Sequence, residues 1–324
     1  MKRKAVLILF LALIAGTVSA CAEPEINQIS AEESLSKVAG DQLKDEQDRF
    51  IDCTFEAPED APGGDIYIVA HVTIPEHAME QGEYEQSMIS AEQIEDILLD
   101  GQKMEYIDEV MAQETWQIAS EPGSDKAFKV NYMIDRGIQK SFFNNTSVKT
   151  LTDIEYKEGN CPTQEMEEQL EYLTNEAQDI FLRLGMNQKI LEASIDGGPG
   201  YYMANILAVP CMDDILLVEP QMGLVDDACS ISTDGMGGMQ IHGTYQKKNV
   251  QEVSVMSVDD MLQIVKEKAG NGEIKGWNGT TYTDITLAYY LDSGTFYPVW
   301  YIYSDSGFGA VHICINAQTG ELYP

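Results

Sequence analysis

Apolar residues recur along this chain with two different periods, and the period decides which element each stretch can form. Ile66, Ile68, Ala70, Val72 and Ile74 take every second position, so they share one face of a strand that Pro75 ends. Ser90 followed by Gln93 is a capping box, and Ile94, Ile97 and Leu98 give the helix behind it an apolar stripe that stops before Gly101. Phe128, Val130 and Tyr132 predict another half-buried strand. Met166, Leu170, Leu173, Ala177, Ile180, Phe181 and Leu184 follow a helical spacing, with Thr163 placed to cap and Gly185 to close. Strands are expected around 190–195, 201–209 and 215–218, and from Met239 to about Tyr245. Ser257 with Asp260 caps a third helix, whose Met261, Leu262, Val265 and Ala269 face inward before Gly270. Three strand candidates then follow at 283–291, 299–303 and 310–316.

Short turns between those last strands predict an antiparallel meander with a helix on one face. The fold class is therefore α+β, with helices packed on antiparallel sheets. Residues 161–256 and 257–324 share a helix-then-strands order, which suggests a weak duplication of structure. The reading divides the chain into a leader (1–20), an acidic tether (21–50), an N-terminal α+β region (51–160), a first helix-plus-strands unit (161–256) and a helix-plus-meander unit (257–324).

Alternation also sorts the C-terminal strands by face. Ile285, Leu287, Tyr289, Trp300, Ile302, Val311, Ile313 and Ile315 should meet the helix that starts at Ser257. Tyr290, Tyr301, Tyr303 and His312 then fall on the opposite face. Three tyrosines are too apolar for random solvent surface, so either the preceding segment or a partner should cover them. They are the candidate binding face, since flat amphipathic rings suit peptides and sugars.

The N-terminus carries an address. Lys2, Arg3 and Lys4 precede an apolar run from Ala5 to Ala15, and small residues lead to Ser19-Ala20-Cys21. The run is too short to span a bilayer permanently and reads as a secretory signal. Cys21 after Ser-Ala resembles a bacterial lipobox, which implies lipidation of Cys21 and a membrane anchor on the extracytoplasmic face.

Acids outnumber bases 54 to 20, for a formal charge of −34. That balance argues against nucleic acid, which is bound through clustered Lys and Arg, and against docking on anionic lipid through a basic patch. Beyond Cys21, the cysteines at 53, 161, 211, 229 and 314 are odd in number and lack a C-x-x-C pair, so free thiols are expected. Cys211 and Cys314 sit in apolar runs and should be buried.

Catalytic motifs are not assembled. His71 and His77 straddle Pro75 and cannot form H-E-x-x-H. No G-x-S-x-G occurs, and Asp213-Asp214 and Asp226-Asp227 lack EF-hand spacing. No cofactor, metal site or catalytic residue is expected.

The run Pro298-Val299-Trp300-Tyr301-Ile302-Tyr303, followed by Val311–Asn316 and Ala317-Gln318-Thr319-Gly320-Glu321, resembles the end of PepSY-like domains. Those domains pair a helix with an antiparallel sheet and close on a turn of the D/N-A-x-T-G-E type. The chain is similar to uncharacterised lipoprotein families of Gram-positive (Firmicutes-type) bacteria. A more distant likeness is to the extracytoplasmic YycH and YycI regulators of a sensor kinase, which use a membrane-spanning helix where this chain has a lipobox. Together these readings imply a lipid-anchored, non-catalytic binding or regulatory protein whose partner is an envelope protein, peptide or glycan. The alternative is a cell-surface hydrolase using dispersed carboxylates, which leave no local signature, and a third reading is a structural envelope protein with no small ligand.

Overall fold

In the computed structural model, residues 37–38, 43–59, 64–98, 101, 103–110, 113–117, 128–135, 138–145, 164–198, 201–219, 223–225, 227–232, 235–274, 281–304 and 312–323 are described. The leader, Cys21, Cys161, Thr163 and Val311 lie outside these residues.

The elements run β1 (Lys37–Val38), β2 (Phe50–Phe55), β3 (Ile66–Thr73), β4 (Glu80–Ser87), α1 (Ala91–Leu98), β5 (Glu105–Val110), β6 (Gln113–Gln117), β7 (Phe128–Asp135) and β8 (Ile138–Asn145). Then come α2 (Gln164–Arg183), β9 (Gln188–Gly198), β10 (Tyr201–Met212), β11 (Ile215–Glu219), β12 (Gly223–Leu224), β13 (Asp227–Ser232) and β14 (Gly235–Ile241). The last stretch holds β15 (Thr244–Glu252), β16 (Val255–Met256), α3 (Val258–Gly270), β17 (Thr281–Asp292), β18 (Thr295–Tyr303), β19 (His312–Asn316) and β20 (Leu322–Tyr323). The result is a mixed α+β fold with three described helices and largely antiparallel strands.

One sheet follows the order β5–β6–β7–β8–β14–β13–β10–β9, antiparallel throughout. Helix α2 packs on it through Leu173, Ala177, Ile180 and Phe181, against Ala204, Ile206, Ile231 and Met239. The capping box of α1 forms reciprocally: Gln93 N–H donates to Ser90 Oγ (3.2 Å), and Ser90 N–H donates to Gln93 Oε1 (3.0 Å).

The second sheet centres on β17, which pairs antiparallel with β18 along one edge. Its other edge is shared: β3 runs parallel to the first half and β11 parallel to Tyr289–Tyr290. Beyond β18 come β19 and β20, and β2 flanks β3. Strand β10 joins the two sheets, because it pairs with β13 over Met203–Ala208 and with β11 at Cys211–Met212.

Helix α3 buries Val258, Met261, Val265 and Ala269 against Ile285, Leu287, Tyr289, Trp300, Ile302, Ile313 and Ile315. Full burial of one such aliphatic side chain contributes about 1.5–3 kcal/mol, so this layer anchors the second sheet. Ser257 caps the helix by accepting from Asp260 N–H at 3.2 Å. The closing turn has a local cause as well. Asn316 Oδ1 accepts from the N–H groups of Gln318 and Thr319, both at 2.9 Å, and Gly320 takes a left-handed φ of +75°. A Cβ on Gly320 would also approach Ile264 Cδ1 to 2.6 Å.

Strand pairs cross the boundaries read from sequence. β3 pairs with β17, β4 with β15, and β8 with β14. The chain also joins the fold inside the segment read as a tether: Lys37 and Val38 pair with Met256 and Val255, Leu43 is buried, and Arg49 bonds Asp259 at 2.5 Å. The single strand expected from Met239 to about Tyr245 is two, broken at His242-Gly243 where the chain passes from one sheet to the other.

Candidate functional site

The four residues of the candidate face do share one side of the second sheet, at cross-strand positions set by β17, β18 and β19. Tyr301 stacks on Tyr303 (centroids 5.1 Å apart) and lies 5.4 Å from the His312 ring. Tyr290 stacks on Tyr323 at 4.5 Å and on Tyr297 at 5.7 Å. The structure separates them by depth. Tyr290 and Tyr301 are buried, whereas Tyr303 and His312 are half-buried.

The cover comes from this chain. Val209, Cys211, Leu216 and Val218, from β10 and β11, complete a layer with Ala288, Tyr290, Val299, Tyr301 and Cys314. β11 widens the sheet beside the second half of β17. β12 then brings Gly223 and Leu224 over the Tyr301 hydroxyl, so close that a Cβ on Gly223 would meet that oxygen at 2.5 Å and His312 Nδ1 at 3.0 Å. Burial raises the Tyr290 phenol to about 12 and lifts that of Tyr301 further. Tyr290 and Tyr301 are thus core residues, and Tyr297, Tyr303, His312 and Tyr323 form a half-buried rim around them.

Tyr297 also lines an open cleft of about 410 Å³ with Gln81, Gly82, Glu83, Asn249, Gln251, Thr295 and Phe296. The cleft is built by the β4–β15 ribbon where it meets the start of β18. Gly82 pairs with Phe296 on one side, and the β15 register slips between Lys248 and Gln251 on the other. This bulge sets Asn249 and Val250 opposite Gly82 alone. It also explains the glycine, since a Cβ there would meet Lys248 O at 2.8 Å and Asn249 O at 3.1 Å. Asn249 takes φ +49°, a left-handed conformation asparagine tolerates, and donates Nδ2–H to Glu83 Oε2 at 2.7 Å.

None of these polar residues is apparent from periodicity. β4 and β15 read EQGEYEQS and TYQKKNVQE, without an apolar alternation to mark them as strands. The available hints were the isolated Tyr84 and Tyr245, whose rings meet at 6.0 Å on the inner face of the ribbon.

Behind the ribbon, at the junction of the sheets, lies a second polar group. Asp227 and His242 are fully buried, and His242 Nδ1 lies 2.6 Å from Asp227 Oδ1. The same oxygen accepts from His242 N–H at 2.9 Å, and Oδ2 accepts from Gln188 Nε2 at 2.6 Å. Burial raises the Asp227 pKa, against the opposing pull of its bonds to His242 and Gln188. Gln86 Nε2 donates to His242 O at 2.7 Å, tying the corner to β4. A His–Asp pair can orient a base for a nucleophile, but this one is sealed from solvent, so it acts as a clamp on the β14–β15 corner.

Nearby, Lys247 Nζ bonds Asp213 (2.6 Å), Glu80 (2.8 Å) and the Tyr289 hydroxyl (3.2 Å). Burial lowers the ammonium pKa, but the bonds to Asp213 and Glu80 outweigh that and raise it overall. This pins the β10–β11 turn to the ribbon.

Among the described residues, Cys211, Cys229 and Cys314 are buried free thiols and Cys53 is half-buried. Burial lifts Cys53 to about 11 and Cys211 and Cys229 to about 12, so none is an activated nucleophile. No described group of His, Cys, Asp and Glu converges as a metal site.

No family model matches the chain, and no curated protein matches it. Among solved structures, it is similar to an uncharacterized protein from Eubacterium rectale, at 12% identity and a TM-score of 0.51 over 88% of this chain and 98% of that one. At such low identity the likeness extends to the fold alone. In architecture, the chain is thus similar to this Firmicutes protein over nearly all of that protein's length.

Proposed function

We propose that the chain is a lipid-anchored extracytoplasmic protein, held through Cys21, with a non-catalytic binding or regulatory role at the cell envelope. The observation that carries this reading is the open cleft beside Tyr297, continuous with the half-buried tyrosine rim and mounted on a sheet packed on both faces. Such a surface offers rigid aromatic area and polar groups at little ordering cost. Among the described residues Glu83 is the one carboxylate lining the cleft, whereas acid–base hydrolysis of glycosides uses two, so the hydrolase reading has less support.

The Lys2–Cys21 pattern supports the anchor, and among the described residues no helix is long and apolar enough to cross a membrane. Residues 22–36 would reach at most about 50 Å, holding the body close to the bilayer. Helix α3 with the β17–β20 meander and its Asn316–Glu321 turn supports the likeness to PepSY-like domains. The distant likeness to YycH and YycI favours a membrane protein among the partners.

Cross-linking and pull-down from native membranes, with the wild-type chain and Cys21→Ala side by side, tests the reading. Wild type should fractionate with membranes and capture an envelope component, while Cys21→Ala is released or accumulates as precursor. Equal membrane retention and normal processing of the variant would refute the anchor, and an empty cross-link would refute the binding role.

A further inference from the structure

The chemistry of the cleft narrows its ligand. Three side-chain amides, Gln81, Asn249 and Gln251, gather with Glu83, Thr295 and Tyr297 around one open cavity. We infer that this cleft is a binding subsite for an uncharged saccharide chain, with Tyr297 against the apolar face of a sugar ring and the amides bonding its hydroxyls. The inference rests on the binding role proposed above and assigns it a ligand class.

Each amide offers both donors and an acceptor, which matches a hydroxyl that donates and accepts at once. Asn249 spends one N–H on Glu83 Oε2, and this bond orients both groups while leaving the Asn249 oxygen and the second Glu83 oxygen for a ligand. Among the described residues no Lys or Arg lines the cleft, Lys248 across from Glu83 is paired with Glu85, and the whole chain is strongly acidic, so an anionic polymer would be repelled. Tyr297 is fixed beforehand: its hydroxyl donates to Asp292 Oδ2 at 3.1 Å and its ring stacks on Tyr290. A pre-set ring loses little freedom when a ligand arrives.

A peptide fits less well. Extended peptides gain affinity by adding to a free strand edge. The cleft's β4 segment is bonded on both sides, Gln81 and Glu83 to β15, and Gly82 and Glu83 to β18, so it has no such edge to give, and the second edge of β15 faces away from β4.

The test uses the full chain in a detergent without a sugar head group. The neutral probes are cellotetraose, chitotetraose and maltotetraose, compared with tetragalacturonate as the anionic probe and an Ala-Gly tetrapeptide. Saturation-transfer NMR and calorimetry should show binding of at least one neutral tetrasaccharide and none of tetragalacturonate or the peptide. Asn249→Gly combined with Gln251→Ala should weaken that binding at least about tenfold, the loss of one or two good hydrogen bonds, with thermal unfolding unchanged. Tyr297→Leu should weaken that binding as well; Asn249→Gly keeps the left-handed backbone available, so the amide pair carries the test if Tyr297→Leu proves too unstable to read.

Failure of every neutral probe, equal binding of tetragalacturonate, binding of the tetrapeptide instead, or binding untouched by the amide substitutions would each overturn the inference. If the saccharides fail while membrane cross-linking still captures a partner, the ligand class falls and the binding role stands. If both fail, both fall.

Discussion

Replacing Asp227 with alanine removes the acceptor on which three buried donors converge: His242 N–H, His242 Nδ1 and Gln188 Nε2, at 2.9, 2.6 and 2.6 Å. Each donor stranded in a dry site costs about 1–3 kcal/mol, and the relief of burying one fewer carboxylate offsets part of the sum. Removing one member of a buried pair costs about 3–5 kcal/mol in general, so about 4 kcal/mol is expected here. For a protein this large, that is a fall in Tm of roughly 10 °C. Asp227→Asn keeps one acceptor and should cost about half as much. Urea and thermal unfolding followed by circular dichroism would measure both variants. Because His242 and Asp227 act as one unit, adding His242→Ala to Asp227→Ala should cost less than the two single losses together. An Asp227→Ala shift under about 2 °C, or a strictly additive double variant, would refute the clamp.

Two other outcomes follow from burial. Tyr301→Ser removes a fully buried ring stacked on Tyr303 and should cost about 3 kcal/mol, whereas Tyr303→Ser, at the half-buried rim, should cost about 1 kcal/mol or less. Equal melting temperatures for wild type and Tyr301→Ser would mean that the layer closed over Tyr301 by Gly223 and Leu224 does not hold. Iodoacetamide at pH 8 should modify native Cys53 slowly, since a thiol at about 11 is only about one part in a thousand thiolate there. Cys211, Cys229 and Cys314 should react only after unfolding, and site-resolved mass spectrometry showing fast native labelling of any of the three would contradict their burial.

The elements that announce themselves in the sequence are those whose own side chains meet a core at a regular period. Ile66, Ile68, Ala70 and Val72 are buried in β3, while Tyr67, Val69 and His71 on its other face are exposed. The caps at Ser90 and Ser257 act within one helical turn, so the sequence contains both partners of each bond. Alternation likewise assigned the described residues of the C-terminal strands to their two faces, because neighbouring side chains of a strand cannot point the same way.

What covers a face is a different matter, and only the tertiary structure decided it. Three tyrosines on one side of β17 and β18 called for a cover, but that β10 and β11 complete their layer and β12 closes over Tyr301 depends on β11 pairing parallel to Tyr289–Tyr290, far along the chain. The cleft was hidden for a related reason. β4 and β15 are strands because each completes the other's backbone hydrogen bonds, a requirement that leaves polar side chains unconstrained and hence no pattern to read. The Asp227–His242 clamp and the pairing of Lys37–Val38 with Val255–Met256 also join residues that nothing local connects. A sequence records the forces a residue meets within a few neighbours, whereas burial, strand partnership and the convergence of amides on one cleft are properties of segments brought together by folding.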